Sequence, residues 1–334
     1  MNILLTGGMG YIGSHTAILL SEAGHQVHIY DNLCNSNIDT LNRIKKITSK
    51  DIAFTNSDIR DTEKLFNTLV NEKIEIVIHL AGLKAVGESS QKPIEYYANN
   101  VQGSISLLQA MQSANIKTLV FSSSATVYGN PVYLPYDEDH PTAPTNPYGR
   151  NKLQIEEMLH DLAVSDKAWS IACLRYFNPV GAHESGLIGE DPNGIPNNLM
   201  PVIGQVVSGK LPLLNIFGDD YDTPDGTGKR DYIHVMDLAE GHLAALNWIK
   251  NNPRLHIFNI GSGKSYSVLE IIHCFEQVSS HSIPYQVVNR RPGDLPEYYA
   301  SADKAKTVLG WEAKRGLSDI CNDSWRWIKN PKII

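Results

Sequence analysis

The sequence predicts an α/β protein: a doubly wound parallel sheet of the Rossmann type, followed by a smaller C-terminal α/β domain that takes the substrate. Three observations predict it. Short β-branched runs alternate with helix-patterned stretches through the first half, an order that builds a parallel sheet with right-handed crossovers and helices on both faces. A glycine-rich turn, GGMGYIG, stands between the first such run and the first helical stretch. After Asn178 the rhythm breaks, and the stretch from Gly181 to Gly228 is rich in Gly, Pro, Asn and Asp, which reads as long loops of the kind that carry function.

In chain order, strands are predicted at residues 2–6, 26–30, 52–55, 75–80, 118–122 and 170–174, and helices at 11–23, 62–71, 94–114 and 148–163. One further helix is expected at 198–208, inside the loop-rich stretch. The late runs 231–235 and 258–261 are expected to return to the first sheet. The two domains therefore interleave, with residues 1–178 and return segments near 231–261 forming the dinucleotide-binding part, and 179–334 the substrate-binding part.

Composition narrows the class. The 334 residues are 42% hydrophobic and 19% charged, with a formal net charge of −7. No dense Lys/Arg run is present to neutralise phosphates, so nucleic acid is excluded as a partner. Pairs such as Lys45-Lys46 and Arg290-Arg291 read as solvated faces or small-anion contacts. The opening residues MNILLTGG read as a strand running into a turn, and no apolar run reaches the roughly 20 residues that span a bilayer. The four cysteines, Cys34, Cys173, Cys274 and Cys321, form no C-x-x-C and read as reduced thiols, so the expected location is the cytoplasm. The 12 histidines show no ligand spacing, and no metal site is expected.

Gly8-Met9-Gly10-Tyr11-Ile12-Gly13 matches G-x-G-x-x-G, and Gly7, Gly10 and Gly13 share a related three-residue spacing. A bare glycine string marks only a tight turn; between a strand and a helix it marks a pyrophosphate site, where missing side chains and free helix N–H groups receive the anion. Asp31 ends the second predicted strand, 18 residues after Gly13. An acidic side chain there accepts from the adenine ribose hydroxyls and repels a 2′-phosphate, so NAD is expected rather than NADP. Asp58-Ile59, after the third strand, is placed to border the adenine.

Tyr148 and Lys152 form Y-x-x-x-K, which in a helix puts both side chains on one face a turn apart. Tyrosine ionises near pH 10 and is a poor base at neutrality. A neighbouring ammonium and a cationic nicotinamide favour the phenolate, which can then take a hydroxyl proton while the same carbon is oxidised. Pro147 precedes the pair, and Ser122-Ser123-Ser124 follow the fifth strand at the carboxyl edge where such sheets bind ligands. Ser124 is a candidate proton relay. Asn99 is expected to hold a nearby loop, and His79, between Ile78 and Leu80, reads as a core histidine.

With these residues in place a resemblance is evident. TGGMGYIGSH, DNLCNS, HLAGLKAVGES, SSSATVYG, PYGRNK, LRYFNPVGA, GIPNNLMP, GTGKRDYIHVMDLA and RRPGDLPEYYA together resemble the UDP-glucose 4-epimerases of the extended short-chain dehydrogenase/reductase family, from residue 1 to about 328. The resemblance implies that Gly7, Gly10, Tyr11, Ile12, Gly13, Asp31, Asn32, Leu33, Cys34, Asn35 and Ser36 line NAD. It implies the same for Asp58, Ile59, Leu80, Ala81, Gly82, Lys84, Asn99 and Phe177. Ser124, Tyr148 and Lys152 would be catalytic and touch the cofactor, with Lys152 holding the nicotinamide ribose. Asn178, Asn198, Leu199, Asn215, Ile216, Phe217, Arg230, Arg291 and Asp294 would hold the UDP moiety, with Tyr298 beside the hexose. Two arginines suit a diphosphate and a carboxylate suits a ribose.

The implied activity is reversible interconversion of UDP-galactose and UDP-glucose by transient oxidation at hexose C4, with bound NAD regenerated in each turnover and the sugar turning about its diphosphate link. A homodimer is implied as well. Three other readings are weighed against it. A 4,6-dehydratase needs an added acid and base, and Ala125 and Thr126 supply neither. An N-acetylhexosamine epimerase needs room where Tyr298 is bulky. A non-catalytic NAD-binding regulator has no reason to keep both Tyr148 and Lys152.

Overall fold

The computed structural model describes residues 1–192, 196, 198–291 and 293–330; Gly194, Ile195 and Asn197 of the GIPNNLMP motif and Pro292 of RRPGDLPEYYA lie outside the described residues. Its first strand shows how the main sheet is held. Ile3 and Leu5 of β1 (Asn2–Thr6) join one apolar cluster and Leu4 another, because successive side chains of a strand point to opposite faces. Both faces are therefore covered, as a parallel sheet requires.

The chain continues through α1 (Tyr11–Glu22), β2 (Gln26–Asp31), α2 (Asp39–Thr48), β3 (Ala53–Asn56), α3 (Thr62–Asn71) and β4 (Ile76–His79). Then come α4 (Val86–Gln91), α5 (Pro93–Tyr96), a π-helical turn (Tyr97–Val101), α6 (Gln102–Ser113), β5 (Thr118–Ser124), α7 (Pro147–Ser165), β6 (Ser170–Tyr176) and β7 (Asn178–Val180). The later part holds α8 (Leu199–Val207), β8 (Leu214–Phe217), β9 (Lys229–His234), α9 (Val235–Ile249), β10 (Arg254–Ile260), β11 (Ser265–Ser267), α10 (Val268–Ser279), β12 (Tyr285–Val288), β13 (Glu297–Tyr298) and α11 (Leu317–Ile328).

Seven parallel strands form the main sheet in the order β10-β6-β5-β4-β1-β2-β3. The chain moves outward from β1 to β3, then crosses back to β4, so the carboxyl ends of β1 and β4 part into a crevice. Ala17, Ile18 and Leu20 of α1 and Leu238 and Leu246 of α9 cover one face. Leu65 and Leu69 of α3, Leu107 and Met111 of α6, and Ile155 and Leu159 of α7 cover the other. Each such side chain contributes roughly 1.5–3 kcal/mol by leaving water.

Local signals start the helices that matter here. Asn146 caps α7 by accepting from the Gly149 N–H at 2.8 Å, and Pro147 takes the first turn, where its missing N–H costs nothing. Asp61 caps α3 in the same way at Lys64, 2.9 Å. Ser267 and Glu270 close a capping box on α10.

The second region is built around β9, which pairs with β7, β11 and β13, while β8 pairs with β12. Met200 and Ile203 of α8, Ile271 and Phe275 of α10 and Ile320 of α11 form its core. Here one expectation is corrected. Residues 231–235 do not return to the first sheet: 231–234 belong to β9, where buried Asp231 accepts from Ser262, Gly263 and Ala300 backbone N–H groups. Only the following α9 packs on the main sheet, and β10 alone returns as a strand. The predicted helix 94–114 is interrupted by the π turn, and the predicted strand 118–122 runs on to Ser124, which pairs with Tyr176 of β6. The three serines thus end the strand and do not follow it. Among the described residues no helix is long and apolar enough to cross a membrane.

Candidate active site

The crevice is a cleft of about 370 Å³ at the carboxyl edge. Its floor is the turn after β1. Gly7 has φ +70°, and a Cβ there would lie 2.7 Å from the Ala81 backbone nitrogen. At Gly13 a Cβ would lie 2.3 Å from the Gly7 carbonyl oxygen, whereas at Gly10 it would meet only that oxygen, at 3.3 Å. Gly7 and Gly13 therefore bring strand, turn and helix together, and Gly10 leaves backbone open toward the cleft. Gly8 faces Ile29 of β2 and does not line the cleft, so the 7-10-13 triplet, and not the match beginning at Gly8, faces the site.

Asp31 ends β2 and ties two loops. Its carboxylate accepts from the Met9 N–H at 3.1 Å, the Leu33 N–H at 2.8 Å and the Ser36 hydroxyl at 3.0 Å. Tyr11, Ile12, Asn32, Cys34, Asn35, Ser36 and Ile59 line the same end of the cleft. Leu33 does not: at φ +60° it turns its side chain onto the core beside the sheet. Asp58 also stands outside the lining, because Arg60 holds its carboxylate with two bonds of 2.8 Å and keeps it ionised down to about 2.

After β4 come Leu80, Ala81, Gly82 and Lys84. The loop they form is held by Asn100, whose amide accepts from the Leu83 N–H at 2.8 Å and donates to the Leu83 carbonyl at 3.0 Å. The expectation placed this task on Asn99, which instead lines the cleft. Both sit in the π turn, and such an added residue in a helix often marks a functional site. His79 is buried, bonded to Thr6 at 2.7 Å and Ser104 at 3.0 Å, and burial lowers it to about 3, as befits a core residue.

Ser124, Tyr148 and Lys152 meet at the centre of the cleft. The Ser124 hydroxyl faces the Tyr148 phenol and favours its ionised form, and it accepts from the Thr126 hydroxyl at 2.9 Å. Lys152 is buried and donates from Nζ to the Ser122 carbonyl at 2.6 Å; Nζ stands 5.8 Å from the Tyr148 ring centre. Burial pushes the Tyr148 phenol up to about 12 and the Lys152 ammonium down to about 8. In the chain alone desolvation is the largest influence on Tyr148, opposed by Ser124; the expected lowering also counted a cationic nicotinamide. A further positive charge in the cleft is required to favour the phenolate.

Phe177, Asn178, Asn198 and Tyr298 line the far wall. The Tyr298 hydroxyl donates to Asn178 at 3.0 Å, and Arg230 stacks on its ring at 4.8 Å. Asp294 joins the two arginines, 3.7 Å from Arg230 and 2.9 Å from Arg291, which stacks on Phe217 at 4.7 Å. Asn215 is exposed on β8 and accepts from Gln286. Ile216 and Leu199 direct their side chains into the core of the second region, so any part they take in binding is through the backbone. Sequence reading missed Glu190, buried in this wall and shared at one oxygen by Lys84 at 3.0 Å and Asn198 at 2.7 Å. It also missed Glu156 and Arg175 beneath the centre, although Glu156 continues the Tyr148–Lys152 face by one more turn.

Sheet order, glycine turn and the Ser–Tyr–Lys set define the class: a nucleotide-binding enzyme of the short-chain dehydrogenase/reductase type. Comparisons with known proteins narrow it. The family model described as GDP-mannose 4,6 dehydratase matches residues 4–324. The UDP-glucose 4-epimerase of Bacillus subtilis is 55% identical over 98% of this chain and 96% of its own, and that of Bos taurus 53% over 98% and 97%. The crystal structure of UDP-glucose 4-epimerase from Bifidobacterium longum with NAD+ and UDP superposes with a TM-score of 0.96, at 49% identity and full coverage of both chains. The chain belongs to this broad family and, within it, to the UDP-glucose 4-epimerases.

Proposed function

We propose that the chain interconverts UDP-galactose and UDP-glucose by transient oxidation at hexose C4, with NAD in the cleft and Tyr148 as the base. The observation that carries this is the meeting of Ser124, Tyr148 and Lys152 between the glycine turn and the arginine–aromatic wall. The cleft fits NAD: Gly10 leaves backbone free at the N-terminus of α1, and the Asp31 carboxylate stands at the strand end where a ribose lies. Bound there, NAD supplies the hydride acceptor and donor and the positive ring charge that favours a phenolate. Gly7, Gly10 and Gly13 would hold its diphosphate, Asp31 its adenine ribose, and Lys152 its second ribose.

Tyr148 takes the proton of the 4-hydroxyl and later returns it, and Ser124 relays that proton between sugar and phenol. Arg230 and Arg291 hold the UDP diphosphate while the hexose turns beside Tyr298. Arg230 is aimed by its bonds to the Lys229 and Leu295 carbonyls, both 2.8 Å. In this reading residues 1–178, joined by β10, carry the cofactor, and the later residues carry the UDP-sugar. Dehydration is disfavoured, because Ala125 has no acid and the Thr126 hydroxyl is taken up by Ser124. The four free thiols suit the reducing cytoplasm.

The purified protein is expected to convert UDP-galactose to UDP-glucose without added NAD, followed by chromatography of the nucleotide sugars. UDP-N-acetylglucosamine should be turned over far more slowly, since Tyr298 fills the space an acetamido group needs. Absence of conversion even with NAD supplied sinks the activity, and equal rates on both sugars sink the specificity.

The same reading includes a homodimer. Ile94 of α5, Ile105 of α6 and Val164 of α7 are 78%, 40% and 63% exposed on neighbouring helices, an apolar surface that a second copy would cover. Light scattering is expected to give twice the chain mass, and Ile94→Glu with Ile105→Glu to give monomer. A monomeric wild type sinks the dimer.

A further inference from the structure

Beneath the reacting centre lies a buried polar network that proton transfer at Tyr148 does not use. Glu156 of α7, 4% exposed, receives Nη2 of Arg175 at 2.7 Å and Nε at 3.1 Å. The Ser123 hydroxyl donates to the same carboxylate. Arg175 lies against the Tyr128 ring at 4.7 Å, and the Tyr128 hydroxyl donates to Asn259 of β10 at 2.6 Å. Two buried cations, Lys152 and Arg175, thus flank one buried carboxylate, which pairs directly with Arg175 and lies one helical turn from Lys152. Unpaired buried charge is costly and tends to discharge.

We propose that Glu156 is a positioning residue for the reaction: its carboxylate, one helical turn from Lys152, keeps that lysine an ammonium and, through Ser123, fixes the strand end that presents Ser124. This rests on the part assigned to Lys152 above. Among the described residues no other carboxylate is placed beside Lys152 to substitute for Glu156. His79 of β4 and Cys173 of β6 are held neutral by burial. From β5 come the Phe121 ring, 4.9 Å from Nζ, and the Ser122 carbonyl. Tyr148 shares the helix, Tyr176 of β6 stands near Tyr148, and Tyr96 of α5 lies beyond it. Burial drives Lys152 down, and Glu156 is the foremost group opposing it. The network leaves one excess positive charge beside Tyr148, where a phenolate must form. Arg175 completes the device by satisfying the carboxylate that faces it.

The sign follows. An ammonium needed for activity is lost as pH rises through the Lys152 midpoint, so removing Glu156 moves that loss to lower pH. The test is Glu156→Gln, which keeps an acceptor for Ser123 and removes the charge. Lysine labelled with 13C at Cε, with the Lys152 resonance assigned by its loss in Lys152→Met, reports the midpoint directly. It is expected to fall by about one pH unit or more, and the alkaline limb of kcat/KM to fall with it. Ser123→Ala keeps both charges and should move neither. If Glu156→Gln does not fold, Glu156→Gln with Arg175→Met also removes the guanidinium that would otherwise stand unpaired, and the midpoint should still fall, by less. An unchanged midpoint in the folded variant, with only Tm reduced, overturns the proposal and leaves Glu156 a structural ion pair. A midpoint that falls while the rate profile stays fixed upholds the electrostatic role and overturns the part assigned to Lys152.

Discussion

Tyr148→Phe is expected to lower kcat by about 10³-fold, within the range that a positioned acid–base group contributes, while the purified protein keeps its bound NAD. The substitution removes one oxygen and keeps the ring that packs among Ser124, Lys152 and Tyr96. The Ser124 hydroxyl remains, but without the phenol it has no base to pass a proton to. Lys152 retains its bond to the Ser122 carbonyl, and the glycine turn and Asp31 are untouched, so cofactor contacts persist. Turnover of UDP-galactose, with nucleotide released by denaturation and measured at 260 nm, separates the two effects. A variant within tenfold of wild type sinks Tyr148 as the base. Loss of NAD together with activity points instead to a binding role for the hydroxyl. Since burial holds the tyrosine at about 12 in the chain alone, the wild-type rate should also rise with pH on its acid side, and that dependence should vanish in the variant.

Legibility in the sequence followed the range of the physics. The strands of the main sheet carry continuous apolar runs buried on both faces, so β1 and α3 fall where periodicity places them. The glycine turn and Y-x-x-x-K are short motifs whose chemistry is local, and the structure brings Gly10, Asp31, Ser124, Tyr148 and Lys152 to one cleft. Residues 231–235 failed because nothing local separates a strand of one sheet from a strand of another. The choice is made by Asp231, which meets Ser262, Gly263 and Ala300 far along the chain. Asn100 was missed for its neighbour because a π turn shifts side-chain direction by a residue, and spacing alone does not reveal it. The expected lowering of Tyr148 counted the lysine and a cationic nicotinamide but not the burial of the phenol, which dominates in the chain alone. The UDP half depended on the resemblance throughout: Arg230 lies in β9, Arg291, Asp294 and Tyr298 lie in the stretch RRPGDLPEYYA, and neither segment carries a local chemical signature that joins them.

Gly13→Ala should damage both the fold and the dinucleotide site. A Cβ there lies 2.3 Å from the Gly7 carbonyl oxygen and 2.6 Å from the Gly8 Cα, and neither is a side chain that can swing aside. The start of α1 must therefore lift from the turn, although Ala17, Ile18 and Leu20 anchor the rest of that helix in the core. Overpacking of this kind costs about 3 kcal/mol, which for a chain of this size lowers Tm by roughly 4 °C. Lifting the helix also withdraws the N–H groups that receive the diphosphate, so retained NAD should be lost. Two substitutions calibrate the result. Gly10→Ala meets only the Gly7 oxygen, at 3.3 Å, and its methyl enters the cleft, so it should exclude NAD with little change in the Tm of the cofactor-free protein. Gly24→Ala meets nothing within 4 Å and tests backbone strain alone, because its φ of +84° disfavours a side chain. Thermal unfolding with and without added NAD, alongside nucleotide released at 260 nm, distinguishes the three. Retained cofactor and an unchanged Tm in Gly13→Ala would show that the close packing of helix on turn is not what builds the dinucleotide site.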